Sequence, residues 1–83
     1  MKIYYNGDDE VKVIFSSEEE KDIVFLLIKN HIILSPSLYR KAFRNWRFVG
    51  DLTGYEPLYC EAICEALGVN PYGYKWEVEE NAK

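Results

Sequence analysis

The sequence predicts an α+β domain in which three helices pack on one face of a three-stranded antiparallel sheet, in the order ββαααβ over residues 1–83. Three observations point there. Both ends of the chain alternate apolar and polar residues with a period of two, the pattern of half-buried strands. The middle repeats apolar residues at three- and four-residue spacing behind recognisable helix starts. The strands carry one apolar and one polar face, as a sheet covered on a single side requires.

In the first strand Met1, Ile3 and Tyr5 point one way and Lys2 and Tyr4 the other; Val11, Val13 and Phe15 repeat the pattern against Lys12 and Ile14. A two-residue turn at Asn6-Gly7 would set Tyr5 opposite Asp8 and Ile3 opposite Glu10. A five-residue loop, Asn6 to Glu10, instead pairs Tyr5 with Val11 and Ile3 with Val13. Register follows the buried face, so the longer loop is expected. Ser16 and Ser17, each with a glutamate three residues on, open a helix whose first turn suits the positive end of its dipole. Its apolar residues, Ile23 to Ile28 and then Ile32 and Ile33, cover so wide an arc that a central helix packed on more than one side is expected. It ends before Pro36, because the residue preceding proline avoids helical geometry.

Ser35 is expected to cap a second helix with Pro36 in its first position and Leu38, Tyr39, Ala42, Phe43 and Trp46 on its apolar face. Gly50 to Tyr55 reads as a linker. Pro57 opens a third helix with Tyr59, Ala62, Ile63 and Ala66 at i, i+3, i+4 and i+7. Leu67-Gly68-Val69 reads as a glycine cap followed by a hydrophobic residue, and Asn70-Pro71 turns the chain. Tyr72, Tyr74, Trp76 and Val78 then alternate with Gly73, Lys75, Glu77 and Glu79 as a strand with an aromatic face. A frayed tail is expected over 79–83.

Eighty-three residues with seven Tyr, four Phe and two Trp suffice for one domain with a modest core. The composition excludes a disordered chain, a collagen-like repeat and a disulfide scaffold. The only cysteines, Cys60 and Cys64, are four apart, and on one helix their Cβ atoms lie about 5–6 Å apart, beyond disulfide reach. They read as reduced thiols in an intracellular protein. The N-terminus does not resemble a signal peptide, and the longest apolar run, Ile23 to Ile28, is far short of a membrane span. A cytoplasmic protein without membrane contact is expected.

Fourteen acids and ten bases give a net charge of −4, unevenly distributed. Residues 35–50 contain no acid and four bases, Arg40, Lys41, Arg44 and Arg47, which include every arginine of the chain. On one continuous helix Arg40, Arg44 and Arg47 share a face, from which three guanidiniums can fork onto carboxylates or phosphates. With Tyr39 beside them, this stripe is a candidate partner-binding face. A solvated face paired with acids elsewhere in the chain accounts for it equally simply. Tyrosine and tryptophan are more numerous than so small a core can hide, and with arginine they are the residue types favoured in protein interfaces. The outward sheet face, with Lys2, Tyr4, Lys12, Ile14, Lys75 and Glu77, is a second candidate.

Acids cluster as Asp8-Asp9-Glu10, as Glu18 to Asp22, as Glu61 with Glu65, and as Glu77 with Glu79 and Glu80. An acidic surface carrying aromatics can imitate a phosphate backbone and occupy a nucleic-acid-binding cleft on another protein. Helix capping and solubility explain the Glu18 run with no partner at all. Glu61-Ala62-Ile63-Cys64-Glu65-Ala66-Leu67-Gly68-Val69-Asn70-Pro71 is similar to the helix, Leu-Gly-Val and turn segment of repressor-type DNA-binding domains. That resemblance implies a recognition helix next, where residues 72–79 instead alternate as a strand. In size, acidity and aromatic content the chain resembles the short inhibitors that phages and mobile elements encode against host defences, anti-CRISPR proteins among them.

A lone His31 near a helix end and no Cys-x-x-Cys pair leave little for a metal site, and no nucleophile has an evident base. No cofactor, no metal and no catalytic activity are expected. The expected function is a non-enzymatic protein-binding domain, an inhibitor or adaptor. It would use either the Tyr39, Arg40, Lys41, Arg44 and Arg47 face or the acidic edges at Asp8, Asp9, Glu10, Glu61, Glu65, Glu77 and Glu79. The alternative is a small DNA-binding regulator holding phosphates through the basic segment 40–47, the one way in which nucleic acid would be a direct partner.

Overall fold

A computed structural model describes residues 1–79, and among these residues there are two strands and four helices. Strands β1 (Lys2–Tyr5) and β2 (Val11–Ile14) pair antiparallel, with Tyr5 opposite Val11 and Ile3 opposite Val13, the register the alternation demands. The loop between them keeps its five residues. Gly7 takes a positive φ of 87°, the Asn6 carboxamide oxygen accepts from the Asp8 N–H, and the Asn6 N–H donates to the Glu10 carbonyl. Ile3, Val11, Val13 and Phe15 are half-buried, while Lys2, Tyr4, Lys12 and Ile14 face solvent.

Helix α1 (Glu18–Leu34) starts at Ser17, whose hydroxyl accepts from the Glu20 N–H, and the Glu20 carboxylate reaches back to the Ser16 N–H. That carboxylate also meets the N-terminal ammonium, which is the main reason its pKa is lowered. Val24, Phe25, Ile28 and Ile32 face the core. The rest of the expected coverage is absent: Ile23, Leu26, Leu27, Ile33 and Leu34 are exposed, so α1 is packed on one side only. No other element among the described residues lies across them. Ser35 closes α1 rather than opening the next helix, its hydroxyl donating to the His31 carbonyl and its N–H to that of Ile32.

The expected second helix is two helices. Helix α2 (Ser37–Ala42) stops at Phe43, and α3 (Asn45–Thr53) starts after Arg44; both intervening residues are extended. Helix α3 runs through Gly50, expected in a linker, and ends at Gly54, whose φ of 79° only glycine adopts readily. Helix α4 (Pro57–Ala66) carries proline in its first turn and ends in a Schellman motif. The Gly68 N–H donates to the Glu65 carbonyl and the Val69 N–H to that of Cys64, with Val69 buried, as the Leu67-Gly68-Val69 pattern implies. A Cβ on Gly68 would meet the Val78 side chain at 3.2 Å in addition to the strained φ. The buried stripe of α4 is Cys60, Ile63, Cys64 and Leu67, one residue around from the expected Tyr59, Ala62, Ile63 and Ala66. Cysteine packs as a small hydrophobe, and that accounts for the rotation.

The third strand does not form. Residues 72–79 follow a course of turns and bends, and the sheet has two strands. The alternation that suggested a strand does not match burial: Tyr72, Tyr74 and Val78 are exposed, and only Trp76 packs inward, against Phe25 with its indole N–H on the Phe25 carbonyl. Backbone groups of this segment serve α3 instead. The Asn45 and Trp46 N–H groups, the first donors of α3, bond to the carbonyls of Gly73 (2.9 Å) and Pro71 (3.0 Å). The Asn45 side chain, fully buried, donates to the carbonyls of Asn70 and Lys75, both at 2.8 Å. The Glu79 N–H donates to the Gly68 carbonyl, so Glu79 is held rather than frayed; the remainder of the expected tail, 80–83, lies outside the described residues. The core collects Ile28, Val49, Cys60, Ile63, Cys64, Leu67 and Val69, with Ile3, Val13, Phe15, Trp46 and Trp76 packed around it.

Asn45→Ala removes two buried hydrogen bonds and is expected to cost about 2–3 kcal/mol in chemical denaturation, with the 70–79 segment more open to proteolysis. Asn45→Asp is expected to cost more at neutral pH, because a carboxylate would face two carbonyl oxygens, and to recover partly on acidification. Equal stability of Asn45→Ala and the native chain would show that the 70–79 segment is held by other contacts.

Candidate functional site

Each arginine of the basic segment has an internal partner. Arg40 donates to the carbonyls of Ile33 and Ser35, capping the end of α1. Arg44 donates to the Tyr72 carbonyl at 2.7 Å and lies 5.1 Å from the centre of the Tyr74 ring. Arg47 sits 4.5 Å from the centre of the Phe43 ring, which stacks on Tyr39 at 4.5 Å and tilts against Phe48. The break at Phe43 and Arg44 distributes the three between α2, its exit and α3, so they do not form the single-helix stripe that their spacing suggested. Lys41 and Tyr39 are exposed on α2.

The acidic positions behave differently. Asp9 and Glu10 from the hairpin loop and Glu61 and Glu65 from α4 line one open cleft of about 250 Å³ with Val11, Leu58 and Ala62. β2 packs against α4, and this brings the two acidic segments together. Asp9 holds a positive φ of 58°, unusual outside glycine and tolerated by aspartate. Glu10 accepts from the Asn6 carboxamide; among the described residues none of the four forms an ion pair with lysine or arginine. The Tyr72 phenol, beside Glu61 and with Glu65 nearby, has its pKa raised chiefly by Glu61. Asp8 sits at the loop tip outside the cleft. Glu77 and Glu79 line a separate cleft of about 210 Å³ with Asn70, Gly73, Tyr74 and Lys75. Because that segment is no strand, Lys75 and Glu77 do not join Lys2, Tyr4, Lys12 and Ile14 on the outward sheet face. Near the hairpin, Tyr5, Tyr59 and Tyr55 form a chain of ring contacts at 6.4 and 6.1 Å.

The feature that the sequence reading missed is the open side of α1. Ile23, Leu26, Leu27 and Ile33 are each more than half exposed, Leu34 is 84% exposed, and Leu38 on α2 lies just beyond. Together they form a patch on the order of 600 Å², the upper end of the range for the largest patch on an ordinary monomer. Asn30 was the signal: it falls in the middle of this arc, where a helix covered on all sides would carry an apolar residue.

His31, in the last turn of α1, meets Asp51 of α3 through Nε2 at 2.8 Å, tying the two helices together. Both cysteines are free and buried. Burial pushes the Cys64 thiol up to about 12, with Cys60 and the nearby glutamates adding to it, and raises Cys60 as well. A thiol held protonated is a poor nucleophile and a poor metal ligand. Among the described residues no three His, Cys, Asp or Glu side chains are grouped to hold a metal ion, and no helix is long and apolar enough to cross a membrane. No family model, curated protein or solved structure matches the chain.

Cys60 and Cys64 are expected to resist a thiol reagent in the native protein at pH 8 and to react only on unfolding. The folded state keeps the Cys64 proton that an unfolded thiol releases near pH 9.0, so its contribution to stability is complete below that pH and falls away as the pH rises toward about 12. A Cys64→Val variant lacks this component in a denaturation series against pH. Arg44→Ala, losing a carbonyl contact and a ring contact, is expected to cost about 1–2 kcal/mol of stability. An Arg44→Ala protein as stable as the native chain would return this guanidinium to the candidates for partner binding.

Proposed function

We propose that this chain acts by binding another protein, as a non-enzymatic inhibitor or adaptor, and that it offers its partner the acidic face built by the hairpin loop and α4. The observation that carries the reading is the convergence of Asp9, Glu10, Glu61 and Glu65, from opposite ends of the sequence, on one cleft. Four carboxylates along an open cleft, with tyrosines on the adjoining elements, match a basic surface of the kind that nucleic-acid-binding proteins present to phosphates. The partner class is therefore a protein with a lysine- and arginine-lined groove, which this face would occupy in place of nucleic acid. The basic segment supports the alternative of direct DNA binding less well, since its arginines already serve helix ends and aromatic rings.

A fluorescein-labelled nona-arginine peptide, followed by anisotropy at 50 and 200 mM salt, probes this face. Binding is expected to weaken with salt. Glu61→Gln with Glu65→Gln is expected to weaken it by about tenfold, about 0.7 kcal/mol for each carboxylate. Glu18→Gln with Glu19→Gln, the same change of charge on α1, is expected to have less than about a third of that effect on a logarithmic scale. A labelled random DNA duplex is expected to give no signal. Equal losses from the two double variants would reduce the effect to net charge and overturn the reading, as would duplex binding removed by Arg44→Glu.

A further inference from the structure

We infer that the open side of α1 is covered by the same side of a second copy of this chain, the two helices crossing antiparallel about a two-fold axis at Asn30. The inference concerns α1 and stands apart from the acidic cleft, which other elements build.

Three observations select a second copy as the occupant. The first is symmetry of the pattern. At 100° per residue, Ile23, Leu26, Leu27, Asn30, Ile33 and Leu34 occupy one arc of about 120° with Asn30 near its middle. Along the axis Leu26 lies about 6 Å before Asn30 and Leu34 about 6 Å after it; Leu27 and Ile33 flank it at about 4.5 Å. A two-fold axis at Asn30 therefore sets Leu26 against the partner copy's Ile33 and Leu27 against its Leu34, leucine against leucine or isoleucine throughout. An isologous contact needs this self-complementarity.

The second is Asn30 itself. A carboxamide in the middle of an apolar contact requires a donor and an acceptor from whatever covers it. The Asn30 of a second copy supplies both when it meets this one at the axis. An apolar groove on an unrelated protein supplies neither.

The third is charge. The exposed acids Glu18, Glu19 and Asp22 stand at the start of α1, more than two turns before Asn30, and no acid follows Asp22 on the helix. Antiparallel helices place the two acidic starts at opposite ends of the contact and oppose their dipoles. Parallel helices would stack three acids on three. The patch is on the order of 600 Å² per copy, the low end for a specific interface, so the dimer is expected to dissociate on dilution.

Sedimentation velocity of the full chain over a range of concentrations reads the association. The expected result is a shift from one chain mass toward two as concentration rises. In Leu27→Glu with Leu34→Glu, two exposed positions, only the single mass remains, with the circular dichroism and thermal midpoint of the native protein. Cross-linking places the axis. Asn30→Cys is expected to form a disulfide-linked dimer under mild oxidation, because residues on the axis meet their own copies. Leu34→Cys, displaced from the axis, is expected to remain uncoupled. A native chain that stays monomeric at the highest concentration overturns the inference and leaves the strip to a different protein. Equal cross-linking at Asn30→Cys and Leu34→Cys overturns the antiparallel arrangement in favour of a parallel one.

Discussion

The fold depends on one buried amide. Asn45 opens α3, and its carboxamide holds the carbonyls of Asn70 and Lys75, while its own N–H and that of Trp46 hold Gly73 and Pro71. The first donors of a helix have no partner within it and must find acceptors elsewhere. Here a segment remote in sequence supplies them, so one contact both starts α3 and anchors residues 70–75. Much else follows from that anchoring. Trp76 is brought over Phe25, Val78 closes on Gly68, and Arg44 has the Tyr72 carbonyl and the Tyr74 ring beside it.

The fold also redistributes the charge of the molecule. Arg40, Arg44 and Arg47 form the most basic stretch of the sequence, yet each is engaged with a carbonyl or a ring of its own chain. The acids of the hairpin loop and α4 are gathered into one cleft without a lysine or arginine partner among the described residues. A net charge of −4 therefore understates how one-sidedly acidic the cleft is. Local arrangement, more than the total, decides what such a surface attracts.

How much of this was legible in the sequence depended on whether a signal was local. The hairpin register followed from the alternation at Ile3, Val11 and Val13, which are half-buried, although Tyr5, expected on the same face, stays exposed. The Ser17 cap and the Gly68 motif were equally readable, being set by residues within one turn. The break at Phe43 and Arg44 had no local marker, neither proline nor glycine; it exists because distant carbonyls satisfy the start of α3. The C-terminal alternation misled for the same reason. Tyr72, Tyr74 and Val78 alternate without being buried, and the backbone beside them is committed to Asn45 rather than to β2. Two of the acidic pairs were recognisable as candidates, but their convergence depends on β2 packing against α4, which spacing alone does not encode. For α1 the apolar residues were all visible, but a wide apolar arc does not by itself say that elements of the same chain cover both sides, and here Ile23, Leu26, Leu27, Ile33 and Leu34 are exposed.

The open side of α1 links stability to assembly. Val24, Phe25, Ile28 and Ile32 of α1 engage the core, so the helix is secured without its other side. Leaving Leu26, Leu27 and Leu34 in water therefore does not unfold the chain, but it gives up the favourable free energy that covering them would contribute. A chain can avoid that loss by placing polar residues on the open side, as most surface helices do. This one retains five large aliphatic side chains and a single asparagine there. An arrangement so apolar, with one self-complementary polar group at its centre, is what an interface between identical helices requires. Because the proposed contact uses α1 and the acidic cleft is built by other elements, a dimer would carry two such clefts, fixed relative to each other by the two-fold axis. A partner offering two basic grooves at that spacing would be held far more tightly than either cleft could hold it alone. On these two readings, the apolar side of α1 serves binding without touching the partner.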